Sequence, residues 1–360
     1  YGPNTILETN IQLKTLITEL GLDGEKLYPN SVSSNRFIVK NGKLLPLPIS
    51  PLAFFSSSLF SAKSKFNIIR EPFIPKWQND YEESLSEFVL RRLGQNFLDY
   101  AVNPFVAGVF AGDPNKLSVK HALSKLYKLE QDYGSLIKGQ IKKAKLPAQS
   151  DDIPKNRAKM FSFKNGLKEL PETLASKLKT PIEFNTMVEQ VQKLNEGWEI
   201  TYNQQNEIKT LKADNLIYAG TGHQLANCKI MNNKNLDLSF GNEIEYPPVA
   251  TLTLGFHKNQ IQHALNGFGL LVPQVENLQI LGALFNSSLF PYRAPDDHVT
   301  ITVFIGGVRQ PELAFESEEK RLDIAVNDLT MLLGITGSPA LIFHKKWTKA
   351  IPQYNVGYGK

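Results

Sequence analysis

The chain has 360 residues, 42% hydrophobic and 21% charged, ordinary proportions for a globular protein of about two domains. Its single cysteine, Cys228, excludes a disulfide framework and any multi-cysteine zinc or iron–sulfur centre, and favours a reducing compartment. A net charge of 40 − 35 = +5 suits an anionic ligand or a membrane surface, but is too small to argue for a nucleic-acid partner.

In chain order, residues 9–21 read as a helix, with Leu13, Leu16, Ile17 and Leu20 at helical spacing and Gly21 as the stop. From Leu44 to Ala62 there is no charged residue. Pro46, Pro48 and Pro51 would break a membrane-spanning helix there, so the stretch reads as a buried, extended core segment, with an apolar patch dipping into a bilayer as the alternative. Lys63, Lys65, Arg70 and Lys76 follow, interleaved with Phe66, Phe73 and Trp77, a pattern shared by peripheral membrane surfaces and ordinary solvated faces. A helix is expected over residues 80–93, capped by Asp80 and Glu83 and stopped at Gly94. Another should run from Ser118 to about Gln131. Lys138–Pro154 reads as a lysine-rich surface loop.

Leu167, Leu170, Leu174 and Leu178 suit a helix, and Trp198–Tyr202 with Ile208–Leu211 suggest a hairpin across Asn203–Gln205. Leu216–Ala219 reads as a short buried strand ending in Gly220-Thr221-Gly222. Residues 249–256, 268–272, 279–285 and 299–305 are strand-like, and their succession without helices points to a largely antiparallel or mixed sheet. Ser317 should cap a helix ending before Gly334, and Ala340–His344 should form a last strand. The residues thus describe a mixed α/β protein.

Spacing alone discloses no chemistry. The histidines at 121, 223, 257, 263, 298 and 344 stand in no metal-ligand spacing, so they are read as structural or surface residues and no metal is expected. There is no GxSxG or GxxxxGK[ST] motif. Gly267-Phe268-Gly269 and Gly220-Thr221-Gly222 both lack the third glycine of a dinucleotide fingerprint.

The segment from Val102 to Ser118, VNPFVAGVFAGDPNKLS, closely resembles the signature stretch of the oxygen-dependent protoporphyrinogen oxidases, in the flavin amine oxidase superfamily. Further blocks agree in order: Gly2-Pro3-Asn4-Thr5, Asn35-Arg36-Phe37, Gly134–Gly139, Phe268–Pro273, Leu281–Phe285, Phe304-Ile305-Gly306-Gly307 and Trp347–Tyr354. The resemblance implies FAD as cofactor, a porphyrinogen as substrate and dioxygen as acceptor, so that protoporphyrinogen IX is oxidised to protoporphyrin IX with release of hydrogen peroxide. It implies that Arg36 pairs with a substrate propionate, a role that suits a guanidinium fork. Phe304 would stack on a pyrrole ring, Leu271 and Leu284 would sandwich the macrocycle, and Gly108 and Gly112 would allow close backbone approach. Asn4 is the nearest candidate for a catalytic residue, and Gly2, Pro3, Val188, Ala219 and Trp347 are the expected flavin neighbours.

The fold so implied is a Rossmann-like FAD-binding domain, incomplete here, with a mixed-sheet substrate domain and a helical membrane-facing domain. The FAD domain would comprise 1–31, 163–225 and 347–360, the helical domain 32–137, and the substrate domain 138–162 and 226–346. The family's GxGxxG would precede Tyr1 and its last flavin segment would follow Tyr358, so the chain is expected to be a piece of a longer reading frame that holds FAD weakly. Cytoplasmic placement, peripheral on the membrane, is expected, and a homodimer stays open. The alternatives are coproporphyrinogen III oxidation and a non-catalytic porphyrin-binding protein. Another flavin amine oxidase, such as a carotenoid desaturase, is disfavoured by residues 103–118.

Overall fold

The computed structural model describes residues 2–79, 81–145, 158–232 and 234–360. The chain separates into two compact units, Tyr1–Leu170 with Tyr246–Lys360, and Pro171–Glu245. The mixed α/β class read from the sequence is the one observed.

The larger unit is built on a seven-stranded sheet. Its strands are β1 (Arg36–Lys40), β2 (Lys43–Pro46), β3 (Val249–His257), β4 (Gly269–Leu271), β5 (Ile280–Leu284), β6 (His298–Gly306) and β7 (Leu341–Trp347), in the spatial order β7-β3-β6-β5-β4-β1-β2. All neighbours are antiparallel except β4 and β1, which run parallel. Side chains alternate between the two faces. On one face Phe37, Leu252, Leu254, Leu270, Ala283, Ile301 and Val303 pack with Ile324, Leu329 and Leu333 of the helix Glu318–Leu333, and form the main core. This helix starts at Ser317, whose side chain accepts the Lys320 N–H, and stops at Gly334, where φ is +64°.

A helical layer supplies the second core, around Leu85, Phe88, Val89, Val106, Leu117 and Leu129. Its polar centre is a buried ion network. Arg92, Glu71 and Glu130 are wholly buried, and Arg92 binds both carboxylates. Arg91 joins Glu83 to Glu130. Glu71 also accepts the Ser135 hydroxyl at 2.6 Å and the Leu136 N–H at 2.8 Å, tying in the helix Leu136–Ala144. Burial pushes the Glu130 carboxyl up, but the hydrogen bonds of Arg91 and Arg92 outweigh it and hold the group below its ordinary range.

Several expectations are corrected here. The helix expected over 80–93 is Leu85–Arg92, capped by a Ser84–Glu87 box; Asp80 lies outside the described residues, and Glu83 is the buried partner of Arg91. Ser118 caps only Val119–Ala122, because the chain bends at Leu123 before a second helix, Ser124–Tyr133. Residues 138–144 are not loop but belong to the Leu136–Ala144 helix, while 146–154 lie outside the described residues. The uncharged stretch is not uniformly buried and extended. Pro51 opens a short helix, Pro51–Ser56; Leu59 and Phe60 are buried, yet Ile49 and Leu52 are 86% and 82% exposed.

In the smaller unit, Thr186–Lys193, Trp198–Gln204 and Glu207–Ala213 form an antiparallel meander, and Lys229–Asn232 pairs parallel to the first of these. The hairpin turns at Gln205 and Asn206, both at positive φ, one residue later than the sequence suggests. Leu216–Ala219 is not a buried strand: Ile217 is exposed, and the segment forms one wall of a cavity.

Candidate functional site

Strand register decides where the expected residues meet. Arg36 pairs with Gly269, and Gly269 with Leu284. Leu271 pairs with Gly282, Gly282 with Phe304, and Phe304 with Thr251, while Trp347 pairs with Val249. Directly paired residues project to the same side, as do residues two apart along a strand. Arg36, Leu271, Leu284, Phe304 and Trp347, scattered over more than three hundred residues of sequence, therefore share the sheet face opposite the main core.

In the row Leu271–Gly282–Phe304 two apolar side chains flank a glycine, and the position over that glycine, toward which Leu271 Cδ2 leans, is the slot of the candidate site. Adjacent strands stand about 4.8 Å apart, so two apolar side chains rise about 10 Å apart with only a glycine between them. A Cβ on Gly282 would press on the Leu270 carbonyl and stand 3.2 Å from Leu271 Cδ2. The helix Asn103–Phe110 covers this face: a Cβ on Gly108 would overlap Leu271 Cδ2, and Ala107 and Ala111 pack in a cluster with Phe304. A π-helical turn, Leu98–Val102, leads into this helix. Such turns recur at functional sites.

Arg36 is exposed at the mouth, its guanidinium 5.1 Å from the centre of the Phe268 ring. Asn4 lies beyond the end of β5, where its Oδ1 accepts from Asn286 Nδ2 at 3.3 Å. Asn286 Oδ1 is itself buried with no partner among the described residues. Gly112 is placed differently from Gly108: it abuts Gln353 and Leu117, so its closest approach is to the chain itself. Gly2 is exposed at φ +88°, and Pro3 is exposed beside it.

Sequence reasoning missed the residues that lock the slot. Arg309, just beyond β6, donates to the Val272 carbonyl at 3.1 Å and to Asn103 Oδ1 at 2.9 Å. Asn103 Oδ1 also accepts the Gln274 N–H at 2.9 Å. Burial pushes the Arg309 guanidinium down to about 10, with Asp113 opposing. The Val308 N–H bonds the Ala111 carbonyl at 2.7 Å. The strand ends that carry Leu271 and Phe304 are thus tied to the helix that carries Gly108. An arginine and an asparagine two hundred residues apart give no spacing signal; only the resemblance of the 102–118 segment marked Asn103.

The smaller unit holds a cavity of about 610 Å³, lined among others by Val188, Val191, Ile200, Tyr218, Ala219 and Gly220. The register of the strand Thr186–Lys193 slips between Val188 and Gln190. Such a bulge leaves backbone groups outside the ladder. An apolar cavity beside such a bulge is of a kind that can take an adenine, which needs flat packing surfaces and a few edge hydrogen bonds. Val188 and Ala219 both stand in this wall; Trp347, Asn4, Gly2 and Pro3 belong to the other unit.

Comparison with known proteins gives the chain its family. Residues 1–360 match the family of flavin containing amine oxidoreductases. The chain is 34% identical to protoporphyrinogen oxidase 2, chloroplastic/mitochondrial, of Arabidopsis thaliana, over 99% of this chain and 75% of the relative. It is 32% identical to the mitochondrial protoporphyrinogen oxidase of Nicotiana tabacum, over 99% and 76%. A coproporphyrinogen III oxidase of Bacillus subtilis matches at 25% identity, over 99% and 76%. Among solved structures, an Exiguobacterium protein superimposes with a TM-score of 0.79 at 21% identity, over 99% of this chain and 76% of that one. The cyclohexylamine oxidase of Brevibacterium oxydans reaches 0.64 at 14%, over 99% and 78%. The chain belongs to the flavin-containing amine oxidoreductase family. It is an FAD-dependent oxidoreductase akin to the porphyrinogen oxidases.

Proposed function

We propose that the chain oxidises protoporphyrinogen IX to protoporphyrin IX in porphyrin biosynthesis, with dioxygen as final acceptor and hydrogen peroxide as by-product. The observation that carries this reading is the slot: Leu271 and Phe304 flank Gly282 on one sheet face, Gly108 lies against Leu271, and Arg36 stands at the mouth. A flat, apolar macrocycle with carboxylate arms asks for such a gap, with a cation at its edge. FAD, when bound, supplies the hydride-accepting chemistry, and the Val188–Ala219 wall would hold its adenine. The chain's own residues orient the ring by apolar contact, and Arg36 fixes a propionate by a charge-assisted hydrogen bond. Asn4, hydrogen-bonded to Asn286 at the end of β5, is the polar group in this part of the site best suited to orient a reacting N–H.

A second reading, oxidation of coproporphyrinogen III, has its support in the Bacillus subtilis relative. Side-by-side turnover of both porphyrinogens by the FAD-reconstituted chain, followed by porphyrin fluorescence and peroxide release, separates them. Faster turnover of protoporphyrinogen is expected. A clear preference for coproporphyrinogen, or no turnover of either, would overturn the first reading.

Peripheral membrane association belongs to the same proposal. Among the described residues no helix is long and apolar enough to cross a membrane. Leu52, Phe66, Ile69 and Phe73 are nevertheless exposed on short helical segments, with Ile49 exposed just before the first, and the helix Ala62–Arg70 also carries Lys63, Lys65 and Arg70. Apolar side chains beside cations suit an anionic bilayer surface. The chain should co-sediment with anionic vesicles, and Phe73→Ser with Leu52→Ser should abolish this; equal sedimentation of the variant would refute it.

A further inference from the structure

The far end of β3 and β6 gathers three side chains able to ligate a metal: the adjacent Asp297 and His298, and His257, about forty residues earlier in the chain. His257 and His298 are the last register pair of the two strands, with ring centres 3.9 Å apart. Asp297 lies against both: its carboxylate is 2.7 Å from His298 Nδ1 and 3.8 Å from His257 Nδ1. One ligand atom from each of the three lies within 4.8 Å of the others. The backbone beneath is fixed, since the Lys258 N–H bonds the Asp297 carbonyl at 2.9 Å and the His298 N–H bonds the Pro295 carbonyl at 3.0 Å. The His257 ring also accepts the Gln260 backbone N–H, which orients it.

From this geometry we infer that His257, Asp297 and His298 form a site for a divalent transition metal. Two imidazoles and one carboxylate match zinc, nickel or copper, whereas calcium and magnesium prefer all-oxygen shells. Metal-to-ligand bonds near 2.1 Å need only small side-chain rotations from atoms already this close. His257 and Asp297 are exposed, so water completes the coordination. Phe304 is six residues along β6, about 20 Å away, which separates this site from the slot. The ion would clasp the ends of two central strands and stabilise the folded chain by mass action.

The test is calorimetric titration of the tag-free, chelator-stripped chain with ZnCl2, paired with the electron paramagnetic resonance spectrum of the Cu²⁺ form. One Zn²⁺ per chain is expected, weakened at least about 10-fold in His257→Gln and in His298→Gln, a loss of about 1.4 kcal/mol each. Binding should be unchanged in His121→Gln and Cys228→Ser, and the copper spectrum should show nitrogen ligands. Metal-free melting curves establish that the variants fold; if one does not, the nitrogen couplings of the unaltered chain decide. The site is refuted by absence of one-to-one binding, by an affinity in both histidine variants equal to that of the unaltered chain, or by loss of binding only in Cys228→Ser.

Discussion

Gly108 and Leu271 show how one missing methyl group shapes the slot. A Cβ at 108 would meet the tip of the flexible Leu271 side chain, so that side chain can give way while the backbone stays in place. Gly108→Ala should therefore leave Tm nearly unchanged while Leu271 is pushed into the gap, raising KM for the porphyrinogen at least about 10-fold, close to 1.4 kcal/mol. Steady-state kinetics beside a melting curve separate the two effects. Arg36 is exposed, so Arg36→Ala should also spare Tm and cost about 10- to 100-fold in kcat/KM, the worth of a charge-assisted hydrogen bond. His263 is the residue whose acid response can be read. Burial lowers its pKa, its Nδ1 accepts the Leu265 N–H at 3.0 Å, and its ring meets Phe37 edge-on. The unfolded chain takes up the proton near pH 6.5 while the folded chain resists it, so stability falls as pH drops below that value. Melting curves from pH 7.5 to 5.0 should show a shallower loss in His263→Asn, which keeps an acceptor but cannot be protonated.

At the scale of elements, five of the seven strands of the large sheet were legible because β-branched runs such as residues 299–305 have one packing solution, whereas β1 and β2, a short pair broken by Asn41-Gly42, were not read as strands. The slot was not legible from pattern: Arg36, Leu271 and Phe304 look like a surface cation and core residues until cross-strand register sets them side by side, and only family resemblance marked them. Leu216–Ala219 misled because an apolar run reads the same whether it fills a sheet or lines a cavity. The Arg309 lock is the element-scale prediction. Arg309→Met keeps much of the bulk but leaves the Asn103 and Val272 oxygens short of a donor, and should destabilise by about 1–3 kcal/mol. It should also raise KM, because the helix bearing Gly108 loses one of its ties to the ends of β4 and β6. Arg309→Lys should not restore either value, since one ammonium lacks the fork that spans both acceptors.

Across the whole molecule, the Arg92–Glu71–Glu130 network joins segments that no single helix contains. Breaking it by Arg92→Met leaves the buried Glu71 without a cation and Glu130 with Arg91 alone, and should destabilise by about 3–5 kcal/mol, as chemical denaturation would report. The Glu130 contribution is present above about pH 4.5 and is lost as pH falls through its depressed folded value, so acid should loosen this layer. The parallel pairing of β1 with β4 reaches further still. Arg36 meets Gly269 across 269 − 36 = 233 positions, and among the described residues the β1–β2 hairpin has no other neighbour in the sheet. On the ribosome that hairpin must wait, one edge bare, until β4 has emerged more than two hundred codons later. Contacts so distant in sequence form slowly, and a bare edge invites foreign strands. The slot is thus among the last features a nascent chain can complete, and holdase chaperones have their longest opportunity at residues 36–46.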